Sequence, residues 1–143
     1  MRTAREILNK KGELIWSVPS DATVFEALQV MAEKDIGAVL VMDGGRIKGI
    51  FSERDYARKV ELQSKLSKYT SVSEVMSDRI IFVMPSQSIE ECMTIMTNKK
   101  IRHLPVFENT KLLGIISIGD VVNAILDEKD TVISELTRFI QGG

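Results

Sequence analysis

A duplicated α+β architecture (α/β-type in local order) is what the sequence predicts, each copy a small sheet with two helices. Three observations carry it. Residues 15–58 lie over residues 80–123 at a constant offset of 65 without a gap, and 11 of the 44 positions are identical, among them Val18/Val83, Glu26/Glu91, Ile36/Ile101, Gly49/Gly114, Ser52/Ser117 and Asp55/Asp120. That is far above the roughly 6% expected by chance at ordinary composition. Each copy alternates short apolar runs with runs of helical period. A seven-residue stretch, "GIFSERD" at 49–55, returns as "GIISIGD" at 114–120.

The elements follow in order. "TARE" at 3–6 reads as a helix start, with the Thr3 hydroxyl capping a free amide and Glu6 reaching back. In each copy a short apolar strand, "IWSV" or "IIFV", leads through Pro19 or Pro85 to Thr23-x-x-Glu26 or Ser88-x-x-Glu91. These are capping boxes that open a helix. The helix buries Val24, Ala27, Leu28 and Met31 in one copy and Ile89, Cys92, Met93 and Met96 in the other, by their 3.6-residue spacing. Two strands follow, "AVLVM" and "IKGIF" or "LPVF" and "LLGII", joined by "DGG" or "ENT". Asp43-Gly44-Gly45 supplies the positive φ of a tight hairpin. A second helix then starts near Glu53 and near Gly119, and the tail continues as helix. A copy of about 60 residues buries too little apolar surface to stand alone, so the copies are expected to pack sheet against sheet as a pseudo-twofold pair. The division is residues 1–61 (first copy with its N-terminal helix), 62–71 (a polar linker) and 72–143 (second copy with the C-terminal helix).

Composition excludes several functions. The chain has 143 residues, a net charge of −1, 44% hydrophobic and 27% charged residues, one cysteine and one histidine. With a pI of about 5.9 there is no basic stripe for nucleic acid. No apolar run spans a membrane. A lone Cys92 forbids an internal disulfide and fits a reducing compartment, and it falls on the apolar stripe of its helix. The charged N-terminus is no secretory signal, and Glu6 argues against a transit peptide, so a cytoplasmic location is expected. A single histidine excludes a histidine-cluster metal site, and no P-loop or nucleophile–base pair points to an enzyme.

The repeated G-h-h-S-x-x-D admits two readings. At a strand-to-helix junction the serine lies where helix amides and the dipole favour a phosphate, and the aspartate can accept both hydroxyls of a ribose. The glycine lets a ligand or a neighbouring backbone come close. Equally, Ser-x-x-Asp is close to a capping box and stabilises a helix with no ligand. Asp55 and Asp120 are shorter than the glutamates of the clearer boxes, which counts against the cap.

The segments "VPSDATVFEALQVMAEKDIGAVLVMDGGRIKGIFSERD" and "VMPSQSIEECMTIMTNKKIRHLPVFENTKLLGIISIGD" together resemble the CBS-domain pair, or Bateman module, over nearly the whole chain. The resemblance implies a tandem CBS repeat standing alone rather than fused to an enzyme: a non-catalytic regulatory module and face-to-face homodimer. It implies two clefts for adenosyl ligands (AMP, ADP, ATP, NAD(H) or S-adenosylmethionine) and sensing of energy or redox state on behalf of an unidentified target protein, with no metal required. A structural or interaction module with empty clefts is the alternative. One cleft would combine Ile115, Ser117, Gly119 and Asp120 with Ile15, Trp16, Ile36, Gly37 and Ala38, the backbone at Ile15–Trp16 reading the adenine edge. The other would combine Ile50, Ser52, Arg54 and Asp55 with Ile80, Ile81, Ile101, Arg102 and His103. Arg54, Arg102 and His103 make the second cleft the expected home of phosphate-rich ligands. Gly119 and Gly37 would offer the first room in place of charge. Trp16 otherwise reads as a packing residue, and the run "ERDYARKVE" as a solvated helix face.

Overall fold

The computed structural model describes residues 2–12 and 15–141, leaving the side chains of residues 130–132 aside. The elements are α1 (Ala4–Lys11), β1 (Ser17–Val18), α2 (Val24–Lys34), β2 (Ala38–Asp43), β3 (Arg46–Ser52) and α3 (Glu53–Asp55). The one turn of α3 runs on as a π-helical stretch, Tyr56–Glu61, and a 3₁₀ turn, Ser67–Tyr69. There follow α4 (Val72–Val75), α5 (Ile89–Lys99), β4 (His103–Glu108), β5 (Lys111–Ser117) and α6 (Ile118–Gln141). Helices and small sheets are mixed, as the α+β expectation requires.

The offset of 65 holds residue by residue. It carries α2, β2 and β3 onto α5, β4 and β5 with identical lengths, and the left-handed helix end Asp35 (φ 53) onto Lys100 (φ 56). Both hairpins break register at the same place, between Val41 and Met42 and between Val106 and Phe107. Gly44 and Gly45 take φ of 56 and 80 in the tight turn, where a Cβ would be strained.

Packing divides the chain into two compact units, residues 15–80 and residues 1–14 with 81–143. In the first, Val18, Val24, Ala27, Met31, Val39, Val41, Phe51, Val60, Val72 and Val75 form one buried cluster. In the second, Ala4, Ile7 and Leu8 of α1 join Val83, Ile89, Cys92, Met96, Leu104, Val106, Ile116 and Val121. Helix α1 therefore packs with the second copy, although it precedes the first. Its counterpart is α4: Thr3 bridges Ser88 as Ser71 bridges Thr23. The Ala4 amide donates to Gln87 O as the Val72 amide donates to Ala22 O. Each copy's preceding segment thus completes the other copy's core. Residues 62–69 are mostly exposed, while Thr70 is buried, and its carbonyl takes the Val24 amide.

Three local expectations change. Thr3 makes no side-chain cap: the Glu6 amide that a box would use bonds the Thr3 carbonyl at 3.1 Å, and the Ala4 and Arg5 amides bond Gln87 O and Pro85 O at 2.9 and 3.0 Å. The strand expected at 80–83 shrinks to a single parallel bridge, Val83 to Val106. In the first copy the Leu40 amide donates to Trp16 O, but its equivalent is Pro105, which has no N–H to give Ile81. Finally, the helix after "SERD" is one α turn and a π stretch ending at Glu61, where its equivalent α6 runs 24 residues.

Candidate functional site

The two Ser-x-x-Asp stretches sit, as expected, at the β3–α3 and β5–α6 junctions. In the first, Ser52 N and Oγ donate to Asp55 Oδ2 at 3.0 and 3.1 Å, and Asp55 N donates to Ser52 Oγ at 3.2 Å. In the second, Ser117 N donates to Asp120 Oδ2 at 2.8 Å and Asp120 N to Ser117 Oγ at 3.1 Å. Both are reciprocal caps. The shortness of aspartate, which counted against a cap, is no obstacle: the carboxylate lies directly under the serine amide. The first amide of each helix is also taken, Glu53 N by Gly37 O and Ile118 N by Arg102 O.

The surroundings of the two carboxylates differ. Asp55 is 9% exposed; its Oδ1 accepts from Ser77 Oγ at 3.3 Å and pairs with Lys59 Nζ at 3.2 Å, one turn on along the helix. Asp120 keeps 23% of its side chain exposed and pairs with Lys11 Nζ at 2.8 Å. Lys11 also donates to Ile115 O at 2.9 Å, so the end of α1 ties the last strand to the aspartate. Burial alone would raise the Asp120 pKa, but the Lys11 ammonium and the Ser117 N–H outweigh it and hold the carboxyl below its ordinary value.

The glycines of the two motifs admit protein, not ligand. A Cβ on Gly49 would lie 2.8 Å from Ser77 O and 2.6 Å from Met76 Sδ, and one on Gly114 would lie 2.8 Å from Leu8 Cδ2. Ile50 exchanges two backbone bonds with Ser77, where Ile115 has the Lys11 ammonium. Of the expected ligand residues, the unit of residues 15–80 places Gly37 and Ala38 beside Ser52, with Ala38 opposite Ser52 in the hairpin. The other unit places Arg102 and His103 beside Ser117, with His103 opposite it. Ile36 and Ile101 lie partly buried at equivalent helix ends, each amide bonded to the carbonyl of Met31 or Met96. Ile81 packs on the second core, and Ile15 and Ile80 are half-buried. Trp16 packs against the first core with the Lys34 ammonium 4.3 Å from its ring centre, and its carbonyl is used by Leu40. Arg54, Arg102 and Gly119 are exposed.

Two observations bear on the charge at these junctions. His103 is not a cationic phosphate donor near neutrality, because burial, reinforced by Lys11, lowers its pKa to about 4. The Asp120 junction is not short of charge, because Lys11 Nζ lies 2.8 Å from Asp120 Oδ2. Lys11 and Ser77 went unnoticed in the sequence, since nothing there pairs position 11 with 120 or 77 with 55. Lys59 was legible as an i,i+4 partner of Asp55. The Cys92 thiol is fully buried and pushed up to about 11 by burial, an inert packing group. Among the described residues no group of three or more His, Cys, Asp or Glu side chains could hold a metal ion, and no helix is long and apolar enough to cross a membrane.

Two copies of one β-hairpin unit, each ending in a serine–aspartate helix start, define a duplicated module. The CBS domain profile matches residues 4–62 and 72–127, and the chain belongs to the CBS-domain family. It is 34% identical to the CBS domain-containing protein CBSX3, mitochondrial, of Arabidopsis thaliana, over 99% of this chain and 73% of that protein. A CBS-domain protein from Burkholderia ambifaria MC40-6 superimposes with a TM-score of 0.85 at 48% identity, covering 87% of this chain and 94% of that one. The CBS domain pair of protein MJ0100, solved with 5′-methylthioadenosine and S-adenosyl-L-methionine, shares the fold (TM-score 0.79, 19% identity, covering 90% of this chain and 98% of that one).

Proposed function

We propose that this chain is a non-catalytic regulatory module that binds adenosyl ligands (AMP, ADP, ATP, NAD(H) or S-adenosylmethionine) at its two Ser-x-x-Asp junctions. One observation carries the reading. In each unit a shielded carboxylate, Asp55 or Asp120, is held in a fixed orientation by its serine at a strand-to-helix turn. Such an acceptor is preorganised for the two hydroxyls of a ribose, as the acidic residue of dinucleotide folds is. The adenosyl ligands of the MJ0100 pair support it. The rest of each ligand set, from Ile15 and Trp16 to Arg102 and His103, belongs to the same proposal, with Lys11 added at the Asp120 junction. The module acts as a cytoplasmic homodimer, and ligand binding shifts the population of the surface that a target protein meets.

One finding favours the second reading, an interaction module without ligand. Both caps are complete as they stand, and among the described residues no buried side-chain nitrogen or oxygen lacks a partner. A thermal-shift series separates the two. A ligand at a hundred times its Kd stabilises the native state by about 2.7 kcal/mol, a rise of several degrees. No shift with any of the adenosyl ligands would leave the interaction module standing.

A further inference from the structure

Helices α1 and α6 border a cavity of about 240 Å³, with Ile89 at the start of α5 against it. All of its lining comes from the unit of residues 1–14 and 81–143. The floor is apolar and buried: Ile7 from α1, Ile89 from α5 and Ala124 from α6. The walls are charged, and the two signs are sorted. Arg2, Lys10 and Lys11 stand on the α1 side, offset there only by Glu6, while Asp120 and Asp127 stand on the α6 side with the neutral Asn123. Asp120, Asn123, Ala124 and Asp127 lie at i, i+3, i+4 and i+7 and so share one face of α6. Ion pairs link the walls, Lys10 Nζ to Asp127 Oδ2 at 2.5 Å and Lys11 Nζ to Asp120 Oδ2 at 2.8 Å. The Lys10 ammonium, helped by Arg2, holds the Asp127 carboxyl below its ordinary value. The two acids stand about 10 Å apart along α6.

Such a cavity selects by charge. A phosphate chain lying in it would meet Glu6, Asp120 and Asp127, and a polyamine would meet Arg2, Lys10 and Lys11, like charges at short range. An uncharged apolar molecule would shield both walls from water without pairing either. A solute with one charge of each sign and an apolar body answers all three surfaces. We propose that this cavity binds a free α-amino acid with an aliphatic side chain. Its carboxylate takes the planar fork of Arg2 and the Lys10 ammonium. Its ammonium takes Asp127 and the side-chain carbonyl of Asn123, and its side chain lies on Ile7, Ile89 and Ala124. The ligand enters by parting Lys10 from Asp127, whose side chains are 75% and 38% exposed, and a pair so exposed contributes little to stability. Each partner then regains an opposite charge from the ligand. The space is smaller than the roughly 300–1,000 Å³ of sites for drug-sized molecules, which suits one small metabolite. Lys11 and Asp120 stay paired, so the proposal does not depend on nucleotide binding.

Isothermal titration of the full chain with L-valine, L-leucine and L-methionine, with nucleotide left out, tests it. Saturable binding of at least one of them at micromolar to millimolar concentration is expected. The amide of that amino acid, which lacks the carboxylate, and its deaminated acid, which lacks the ammonium, should each bind at least tenfold more weakly. Lys10→Met and Asp127→Asn should each weaken the intact amino acid at least tenfold. Both side chains lie outside the buried core, so a melting temperature of the free variants close to that of the wild type keeps misfolding out of the result. The two truncated ligands probe the same contacts on the unaltered protein. Absence of binding for all three amino acids, equal affinity for the amide or the deaminated acid, or indifference to both substitutions would each overturn the proposal.

Discussion

The β3–α3 and β5–α6 junctions begin from the same seven-residue pattern and differ in what covers them. Over Gly49 and Ile50 lies an extended piece of chain, Met76–Ser77, bonded backbone to backbone. Over Gly114 and Ile115 lies the side of a helix, with Leu8 against the glycine and Lys11 bonded to the Ile115 carbonyl and to Asp120. One junction is closed by main chain and the other by side chains that can turn away. The same cap therefore sits in a stiff setting and in an adjustable one. The histidine sharpens the contrast: His103 stands where the first copy has Ala38.

The largest expected effect concerns that histidine. Its folded pKa of about 4 lies below the ordinary 6.5, so as pH falls the unfolded chain takes up the proton first. Stability is complete above pH 6.5 and declines from there to about pH 4, by up to about 3 kcal/mol at roughly 1.4 kcal/mol per unit. His103→Ala, which makes the second junction like the first, should flatten that decline in urea titrations run from pH 7 to 4. A slope that survives the substitution belongs elsewhere.

Next come the glycines. Gly49→Ala forces a Cβ onto the Ser77 carbonyl and should cost about 2–3 kcal/mol, while Gly114→Ala meets only the end of the Leu8 side chain and should cost about 1 kcal/mol. Equal losses in denaturant midpoint would mean that α1 holds its junction as stiffly as the extended segment does. The caps should behave alike. Ser52→Ala and Ser117→Ala each remove a side-chain acceptor from a helix amide, at about 1 kcal/mol apiece.

The smallest effect is at Lys11. Asp120 has a lowered folded pKa, so its contribution is present above about pH 4 and is lost as pH falls through the folded value. Lys11→Met keeps the stem but not the charge. For a partly exposed pair it should cost a few tenths of a kcal/mol to about 1 kcal/mol at pH 7, with less further loss below pH 4 than in the wild type.

Much of the fold was legible because the duplication repeats local signals. Thr23 and Glu26 form the box their spacing announces, and Asp43-Gly44-Gly45 makes the turn its φ values require. What stayed hidden depends on packing between distant segments. Pro105 shortened a sheet because its missing N–H matters only opposite Ile81. Thr3 caps nothing with its side chain because the first amides of its helix are already met by backbone carbonyls, two of them from the loop at 85–87. The exchange of α1 and α4 between copies left no periodic trace, so Lys11 beside Asp120 could not be read from the chain. The Ser-x-x-Asp cap was legible, and the shorter aspartate reaches its serine amide at 3.0 and 2.8 Å, closer than Glu26 reaches Thr23 N at 3.4 Å.

The central claim is that the two shielded carboxylates are ribose acceptors as well as caps. Isothermal titration of the wild type, Asp55→Asn and Asp120→Asn with AMP, ATP, NADH and S-adenosylmethionine tests it most directly, since asparagine keeps the shape and much of the cap. The account predicts saturable binding of at least one of these ligands to the wild type, and a loss of tenfold or more at the substituted junction. Binding that is absent from the wild type, or indifferent to both substitutions, would contradict it.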